Sequence, residues 1–439
     1  MSTRRQKLSH LKLLAVGAAL AAFWASSAPA QPAVQEPFRL RVFIDCTVSG
    51  CDSDFFRTEI AFVDHVRDRA DADVHVLVTT QATGGGGTVY TMAFIGRSVR
   101  AERTDTLSVS TLQTATPDER RKALSRGLKL GLVQYAAHTR AGEWLEITMR
   151  PKDSAGVASA AKSAHDPWNF WVFRIGSNSN FSGEKSQRFA YISGTASANR
   201  TTEAWKVSIR GNGSYNESKF TFSSGNKFAN YSHTYGASEL IVKSLGPHWS
   251  AGQRASIGSS TYLNQELSFR FAPAVEYNVF PYSESTRRQL TFQYSAGLSH
   301  YRYEEKTIFG KLRETHPDHS LTVSLDTKQP WGSISSSLEG AALIDDFSKK
   351  RMVNFTSLNL RLFKGFNLNM YSSVAIVRDQ LYIPGGDLSD EEVLVRRRQL
   401  ETSYRYFGGV GLSYTFGSIF NNVVNPRFGG SSGGIFIFE

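Results

Sequence analysis

Two cysteines are the first residues of this 439-residue chain that could do chemistry. Cys46 and Cys51 are the only ones, and they enclose the stretch Thr-Val-Ser-Gly. A redox dithiol prefers two intervening residues, and a zinc site would need more ligands at a metal spacing than Asp45, Asp52 and His65 provide. In an exported protein a close, even pair is most simply a disulfide. We therefore expect a Cys46–Cys51 disulfide between a strand and a helix, and no metal or other cofactor.

A group of histidines and carboxylates in the second half of the chain is the candidate for acid–base chemistry. Its members are His300, Glu304, Glu305, His316, Asp318 and His319. They lie beside a predicted loop over residues 304–318, where a His–Asp or Ser–His pair could serve a hydrolase. The alternative is a polar loop with incidental histidines, and the chain carries no Ser/His signature that favours the enzyme. We expect no enzymatic activity.

Four consecutive glycines, Gly84 to Gly87, raise the possibility of a phosphate-binding loop. The run lies between two predicted strands and is followed neither by a helix nor by Lys-Ser or Lys-Thr. We expect a hairpin connection.

The candidate residues of the second half of the chain lie on or between predicted long strands, and the clearest of these strands is near the C-terminus. In Tyr404–Phe416 the apolar side chains fall on alternate positions, and Arg405, Gly409, Gly411, Ser413 and Thr415 fall between them. Period-two alternation over about a dozen residues indicates a strand long enough to cross a bilayer at a tilt. Similar segments recur at 168–181, 188–200, 204–216, 231–243, 248–261, 266–280, 288–303, 319–329, 332–344, 352–363, 366–381 and 402–416. They predict about twelve antiparallel strands, an even number as single-chain bacterial barrels have.

The polar face of these strands points inward in such a barrel. The predicted lumen-lining residues are Lys206, Arg210, Arg254, Arg270, Glu276, Asp326, Arg361 and Arg405, and the same alternation places Lys243 and Glu339 inward. One interpretation is a pathway that selects anions. The other is a lumen closed by its own Arg–carboxylate pairs, since side chains can fill a barrel of this size.

The connections between these strands predict the orientation of the barrel. Short turns at 201–203, 244–247, 281–287, 329–331 and 364–365 alternate with mostly longer segments at 217–230, 304–318, 345–351 and 382–401, with 262–265 as the exception. This alternation favours a barrel with both chain ends in the periplasm.

Composition limits the class of protein. A mean hydropathy of −0.29 and 20% charged residues exclude a polytopic helical membrane protein. The net charge of +11 is spread along the chain without a recognition motif, so we expect lipopolysaccharide or anionic solutes, not nucleic acid, as its partners. Residues 1–30 have a basic start, an apolar core and Ala-Pro-Ala before Gln31, which predicts an export signal.

Residues 38–150 predict a small α+β domain with the order strand, helix, strand, strand, helix, strand. The first helix is expected at 54–69 and the second at 116–138, with Thr116 as its N-cap and Pro117 at its first position. Strands are expected at 38–45, 74–80, 88–95 and 144–149. The Ala/Ser/Lys-rich stretch 151–166 is expected to be a linker, 167–417 the barrel and 418–439 a Gly/Asn-rich tail outside the barrel wall.

Across roughly residues 166–430 the chain resembles an uncharacterised family of Gram-negative outer-membrane β-barrel proteins with an N-terminal periplasmic α/β domain. The stretches that carry the resemblance are 166–173 (DPWNFWVF), 280–288 (FPYSESTRR) and 414–422 (YTFGSIFNN). It implies an all-β transmembrane antiparallel barrel preceded by a small α+β periplasmic domain, folded into the outer membrane by the barrel-assembly machinery. It implies no site residues.

Three functions remain open at this point. The first is an envelope structural or interaction role, in which the periplasmic domain docks a partner protein. The second is a narrow channel for small anionic or polar solutes. The third is an outer-membrane hydrolase with its site near residues 300–319.

Overall fold

The computed structural model describes residues 39–84, 86–97, 103–147, 166–222, 225–386, 402–425 and 427. The predicted export signal, nearly all of the predicted linker and most of the C-terminal tail lie outside the described residues. Within the described part of the chain no helix is long and apolar enough to cross a membrane.

The N-terminal domain is a five-stranded sheet with two helices. Its elements are β1 (Leu40–Asp45), α1 (Ser53–Glu59), β2 (Val63–His65), β3 (Val74–Ala82), β4 (Thr88–Gly96), β5 (Thr104–Thr111) and α2 (Pro117–Ala136). The strand order is β2-β1-β3-β4-β5. Strand β1 is parallel to both of its neighbours, and β4 is antiparallel to β3 and β5.

Helix α2 begins as the sequence predicts. The Thr116 hydroxyl accepts a hydrogen bond from the Glu119 N–H, the Glu119 carboxylate accepts from the Thr116 N–H, and Pro117 fills a position that needs no N–H donor. The helix packs on the sheet so closely that a Cβ at Gly131 would lie 2.0 Å from the Phe94 ring. The core of the domain therefore forms between α2 and the central strands.

Three local predictions for this domain are wrong. The first helix ends at Glu59, because Val63 is 2% exposed and pairs with β1 in a short strand. Strand β5 was not predicted, since its side chains are mostly exposed and lack a clear apolar face. No strand follows α2 at 144–147; the chain forms a 3-10 turn at Arg140–Trp144 instead.

The second sheet has twelve antiparallel strands in sequential order, from β6 at one edge to β17 at the other. The strands are β6 (Trp171–Gly183), β7 (Gln187–Thr201), β8 (Trp205–Thr221), β9 (Lys227–Ser244), β10 (Trp249–Ser260), β11 (Gln265–Asn278), β12 (Arg288–Tyr303), β13 (Arg313–Gln329), β14 (Gly332–Leu343), β15 (Lys350–Phe363), β16 (Phe366–Val377) and β17 (Tyr404–Tyr414). The number and order of strands confirm the predicted fold class. Among the described residues no ladder joins β6 to β17.

This sheet curls around an interior. Leu240 of β9 and Arg351 of β15 line the same cavity although they stand six strands apart in the sheet. The ladder between β16 and β17 puts Arg405, Phe407 and Gly409 on one face and Tyr404, Tyr406 and Val410 on the other, the two faces that the alternation predicts. We call the enclosed space the lumen.

The connections differ in part from prediction. At the end of the barrel that meets the N-terminal domain, here the domain end, the turns span 202–204, 245–248, 279–287, 330–331 and 364–365. At the other end, here the far end, the connections 304–312, 344–349 and 378–403 are longer, whereas 184–186, 222–226 and 261–264 are short. The predicted loop at 217–230 is mostly strand, because β8 and β9 remain paired from Trp205 to Thr221.

Candidate functional site

A cavity of about 280 Å³ lies inside the curled sheet, toward its far end. Its centre is an ion pair between β11 and β13, two strands apart. The Arg270 Nη2 donates to Asp318 Oδ1 at 2.5 Å, and its Nε lies 3.1 Å from both carboxylate oxygens. The Ser299 hydroxyl, on the strand between them, donates to Asp318 Oδ2 at 2.6 Å. This arrangement places a fully paired carboxylate in the lumen.

A second ion network also lines the cavity. The Arg351 guanidinium donates to Glu339 Oε1 at 2.9 Å and to Asp379 Oδ2 at 3.4 Å. Since Arg351 and Glu339 stand on neighbouring strands and Asp379 follows β16, the network ties three consecutive strands together inside the barrel.

Toward the domain end the cavity is lined by Glu276, which accepts a 2.7 Å hydrogen bond from the Tyr282 hydroxyl. Tyr282 lies in the turn after β11, where its hydroxyl also accepts from Ser250 at 3.2 Å. Burial, together with the bond to Glu276, raises the pKa of Tyr282 to about 12. Tyr282 therefore remains a neutral donor to Glu276.

Arg254 differs from the other two arginines of the cavity. It lines the same space as Arg270 and Arg351, yet no carboxylate among the described residues forms a salt bridge with it. Its guanidinium is available to a solute or to solvent.

At the domain end the N-terminal domain contacts the barrel through a buried carboxylate. Asp45 closes β1 and is 8% exposed. The two terminal nitrogens of Arg361, from β15, donate to its two oxygens at 2.5 and 2.6 Å. The Arg361 guanidinium also lies 5.2 Å from the centroid of the Phe43 ring. This bidentate pair joins the two parts of the protein.

His75 stands behind this pair, wholly buried on β3, with its Nε2 3.4 Å from Asp45 Oδ2. Burial lowers the pKa of His75, and the nearby Arg361 and Arg69 lower it further. Burial alone would raise the pKa of Asp45, but the bonds from His75 and Arg361 together lower it. Asp45 is thus a carboxylate held by a cation of the barrel.

Two further contacts flank this pair at the turn between β15 and β16. The Gly365 N–H donates to Asp68 Oδ2 at 2.6 Å, and the Lys364 ammonium lies 2.6 Å from Asp71 Oδ1. Gly365 has a φ of 75°, which a residue with a side chain rarely adopts.

The segment after β17 completes the junction. Residues 419–422 run antiparallel along β2, with the Arg67 N–H donating to the Ile419 carbonyl at 3.1 Å and the Asn421 N–H to the His65 carbonyl at 2.8 Å. The Asn422 side chain accepts from the His65 N–H at 2.6 Å and donates to Asp64 at 2.9 Å. We call residues 419–422 the C-terminal clasp. The sequence predicts this tail outside the barrel wall; the structure adds that it holds the edge of the N-terminal sheet.

The histidine and carboxylate group does not come together. His316 lies on the inner face, within β13, and its two ring nitrogens lie 2.7 Å from Asp345 and 2.9 Å from Glu314. The strand register puts His300 beside Phe269 and His319 beside Ala296, on the outer face. With both nitrogens facing carboxylates, His316 has none free to take a proton from a nucleophile. Among the described residues no group of three or more His, Cys, Asp or Glu could hold a metal ion.

The predicted lumen residues separate into three sets. Arg254, Arg270 and Glu276 line the cavity, and Arg361 holds the N-terminal domain. Lys206, Arg210, Asp326 and Arg405 stand at inward register positions outside the cavity lining. Whether these residues serve a pathway stays a prediction.

One inward assignment is wrong, and one important cation was not predicted. Lys243 shares the outer face with Trp205, its ammonium 5.5 Å from the Trp205 ring. Arg351 was missed because the strand begins at Lys350, two residues before the predicted start. The Cys46–Cys51 disulfide is present, as predicted.

No known protein family and no curated protein matches the chain. Among solved structures it is similar to the NanC porin in a rhombohedral crystal form, at 9% identity and a TM-score of 0.28, over 55% of this chain and 99% of that one. It is also similar to CdiB from Acinetobacter baumannii, at 9% identity and a TM-score of 0.23, over 86% of this chain and 74% of that one. At these values the likeness says nothing about activity or cargo.

Proposed function

We propose that the protein is an outer-membrane β-barrel with a structural or interaction role in the envelope, its lumen closed and its N-terminal domain presented to a periplasmic partner. The observation that carries this proposal is the seating of that domain on the barrel through the Asp45–Arg361 pair. Because a buried ion pair fixes the N-terminal domain at one end of the barrel, the domain presents a constant surface to a periplasmic partner protein.

The faces of the sheet support a membrane location. The outward positions of β8, β10 and β11 include Trp205, Ile209, Trp249, Phe271 and Tyr277, while the inward positions carry the ionic networks. The Trp249 and Tyr277 rings pack at a tilt with centroids 4.8 Å apart, and Trp205 lies at the same end of the wall, as in an aromatic belt at one interface. The turns at this end would then face the periplasm with the N-terminal domain.

The side chains in the lumen support a closed barrel. Arg270, Asp318 and Ser299 form one bonded unit in the cavity, and Arg351, Glu339 and Asp379 form another. Paired charges of this kind occupy space and leave no continuous row of free cations for an anion to follow.

Conductance in planar bilayers tests the proposal. The purified full-length protein is expected to give no defined current steps. The double variant Arg270→Ala/Asp318→Ala removes a lumen pair without leaving a lone charge, so it is expected to open measurable steps. The matched control is Arg302→Ala/Glu266→Ala, which removes an exposed pair on the outer face and should leave the barrel closed. Reproducible steps from the unchanged protein would contradict a closed lumen.

A narrow channel for small anionic or polar solutes is the second candidate, and Arg254 is the observation that favours it. Its guanidinium faces the cavity of about 280 Å³ without a carboxylate partner among the described residues. The same bilayer experiment tests this candidate. Current steps that prefer anions in the unchanged protein, with a weaker anion preference in the Arg254→Gln variant, would support the channel over the structural role.

The hydrolase is not favoured by the geometry. Both nitrogens of His316 are occupied, and His300 and His319 lie on the other face of the wall.

A further inference from the structure

The outer face of β9 and β10 carries one polar pair among apolar side chains. The register aligns Glu239 with Ile209 on one side and Ala255 on the other, so its side chain belongs to the face of Trp205 and Trp249. The Gln253 side-chain amide donates to Glu239 Oε1 at 3.0 Å. A carboxylate on this face is unexpected for a wall that meets lipid.

The position of Glu239 along the strand places it inside the apolar band. It stands four residues along β9 from Lys243, which lies at the aromatic belt with Trp205. A strand rises about 3.3 Å per residue and tilts by about 40°, so Glu239 lies roughly 10 Å from the belt in a band about 25 Å tall. It is therefore near the middle of the membrane, where an ionisable residue points to a specific partner.

The pair is not satisfied within the chain. Glu239 forms no salt bridge with a cation among the described residues, and its second oxygen has no hydrogen bond there, nor has the Gln253 carbonyl. A second polar patch on the outer face, on β14 and β15, is different. There Ser336, Thr356 and Asn354 are neutral and bond one another, and Asn354 also donates to the Ser337 carbonyl. Of these two patches, the first retains bonding capacity toward a neighbour.

The wall beside the pair is also weakened. Gln253 lies opposite Pro273 of β11, and between Phe271 and Ala274 the ladder to β12 forms no pair. Proline has no N–H to contribute, so the sheet loses hydrogen bonds at this level. The wall beside the polar pair therefore has fewer ladder bonds than a continuous sheet would have.

We propose that a second copy of this chain packs against the outer face of β9 to β11 around Glu239 and Gln253, which makes the protein a dimer in the membrane. A two-fold axis there lets the Gln253 amide of one copy donate to the Glu239 carboxylate of the other, because the pair holds both a donor and an acceptor. The small side chains of Ala251 and Ala255 beside it let the two walls approach closely. This inference rests on the outer-membrane location proposed above.

Cysteine crosslinking in isolated outer membranes tests the dimer. Cys46 and Cys51 already form a disulfide, so a new intermolecular disulfide must come from the introduced cysteine. Ala255→Cys is expected to give a disulfide-linked dimer on mild oxidation. Val374→Cys is the matched control, an outward position on β16 far from the pair in strand order, and it should remain monomeric.

The role of the polar pair is tested by adding Glu239→Leu and Gln253→Leu to Ala255→Cys. The crosslinked fraction is expected to fall by about tenfold, since a polar contact of this kind in a membrane contributes roughly 5- to 30-fold in affinity. Unchanged crosslinking would overturn the role of the pair. An Ala255→Cys chain that is folded and in the membrane but does not crosslink through its new cysteine, or that crosslinks there to a different protein, would overturn the dimer. Absence of the chain from the membrane would instead contradict the proposed function.

Discussion

At the residue scale, the buried Asp45 links the two parts of the protein. Its carboxylate is enclosed by His75 from the N-terminal domain and by Arg361 from the barrel. Burying a carboxylate is costly unless its oxygens are paired, so withdrawal of Arg361 would leave an uncompensated charge. The Asp45–Arg361 pair therefore fixes the position of the N-terminal domain on the barrel as well as stabilising the contact.

The same cluster predicts how the stability of the N-terminal domain depends on pH. Burial lowers the pKa of both His75 and His65 in the folded protein. The unfolded chain takes up protons near pH 6.5 while the folded domain does not, so the stability is full above about pH 6.5 and is lost as pH falls toward the folded values. Each of the two histidines is therefore expected to lower the stability of the domain as the pH falls from 7.5 to 5.

Pulse proteolysis of the N-terminal domain in urea, on the full-length protein, measures this loss. His75→Gln should remove about half of the pH dependence. His65→Gln, at the other buried histidine, should remove much of what remains. A domain whose urea midpoint is the same at pH 5 and pH 7.5 would contradict the buried neutral histidines.

The sequence predicts on which face of a strand a side chain lies, but not which side chain on another strand it pairs with. The alternation puts Arg270 on the inner face, yet its partner Asp318 stands two strands away, and only the register of β11, β12 and β13 brings them together. Lys243 was assigned to the wrong face because it follows Leu240-Ile241-Val242, where consecutive apolar residues hide the period of two.

At the element scale, the barrel strands are predicted far better than the N-terminal domain. Strand β12 begins and ends at 288 and 303, as the alternation predicts. A strand with one apolar and one polar face has apolar and polar residues at alternate positions, so its bounds can be recognised in the sequence. Short or edge elements such as β2 and β5 carry no such signal. They form because tertiary pairing with β1 and β4 stabilises them.

The C-terminal clasp is an element that only the folded chain reveals, and it gives a prediction. Asn421→Pro removes the N–H that bonds the His65 carbonyl, and Asn422→Ala removes both side-chain bonds to β2. A net hydrogen bond contributes about 1 kcal/mol, so amide exchange in β2 should speed up by roughly fivefold for each bond lost. Hydrogen-exchange mass spectrometry of the full-length protein measures it.

Asn425→Ala is the matched control for the clasp. Asn425 is the same residue type in the same segment, but within the described part of the chain its side chain bonds only the local Arg427 N–H. It should leave β2 protected. Equal protection of β2 in the clasp variants and in the unchanged protein would show that residues 419–422 do not hold this edge in solution.

At the scale of the whole molecule, the barrel and the N-terminal domain depend on one another. Three contacts converge on the domain end, from Arg361, from the turn at 364–365 and from the clasp. They come from the last strands of the barrel, so the domain reaches its seat only when the barrel is nearly complete. Composition and alternation predict both parts, but not that residues 419–422 pair with the edge of the N-terminal sheet.

Migration on a gel after outer-membrane extraction, with and without heating, tests whether the protein is a folded barrel in the outer membrane. A folded barrel resists the detergent, so the unheated protein is expected in the outer-membrane fraction and should run faster than the heated, unfolded form. Recovery of the protein in the soluble periplasmic extract, with a migration that heating does not change, would contradict the account.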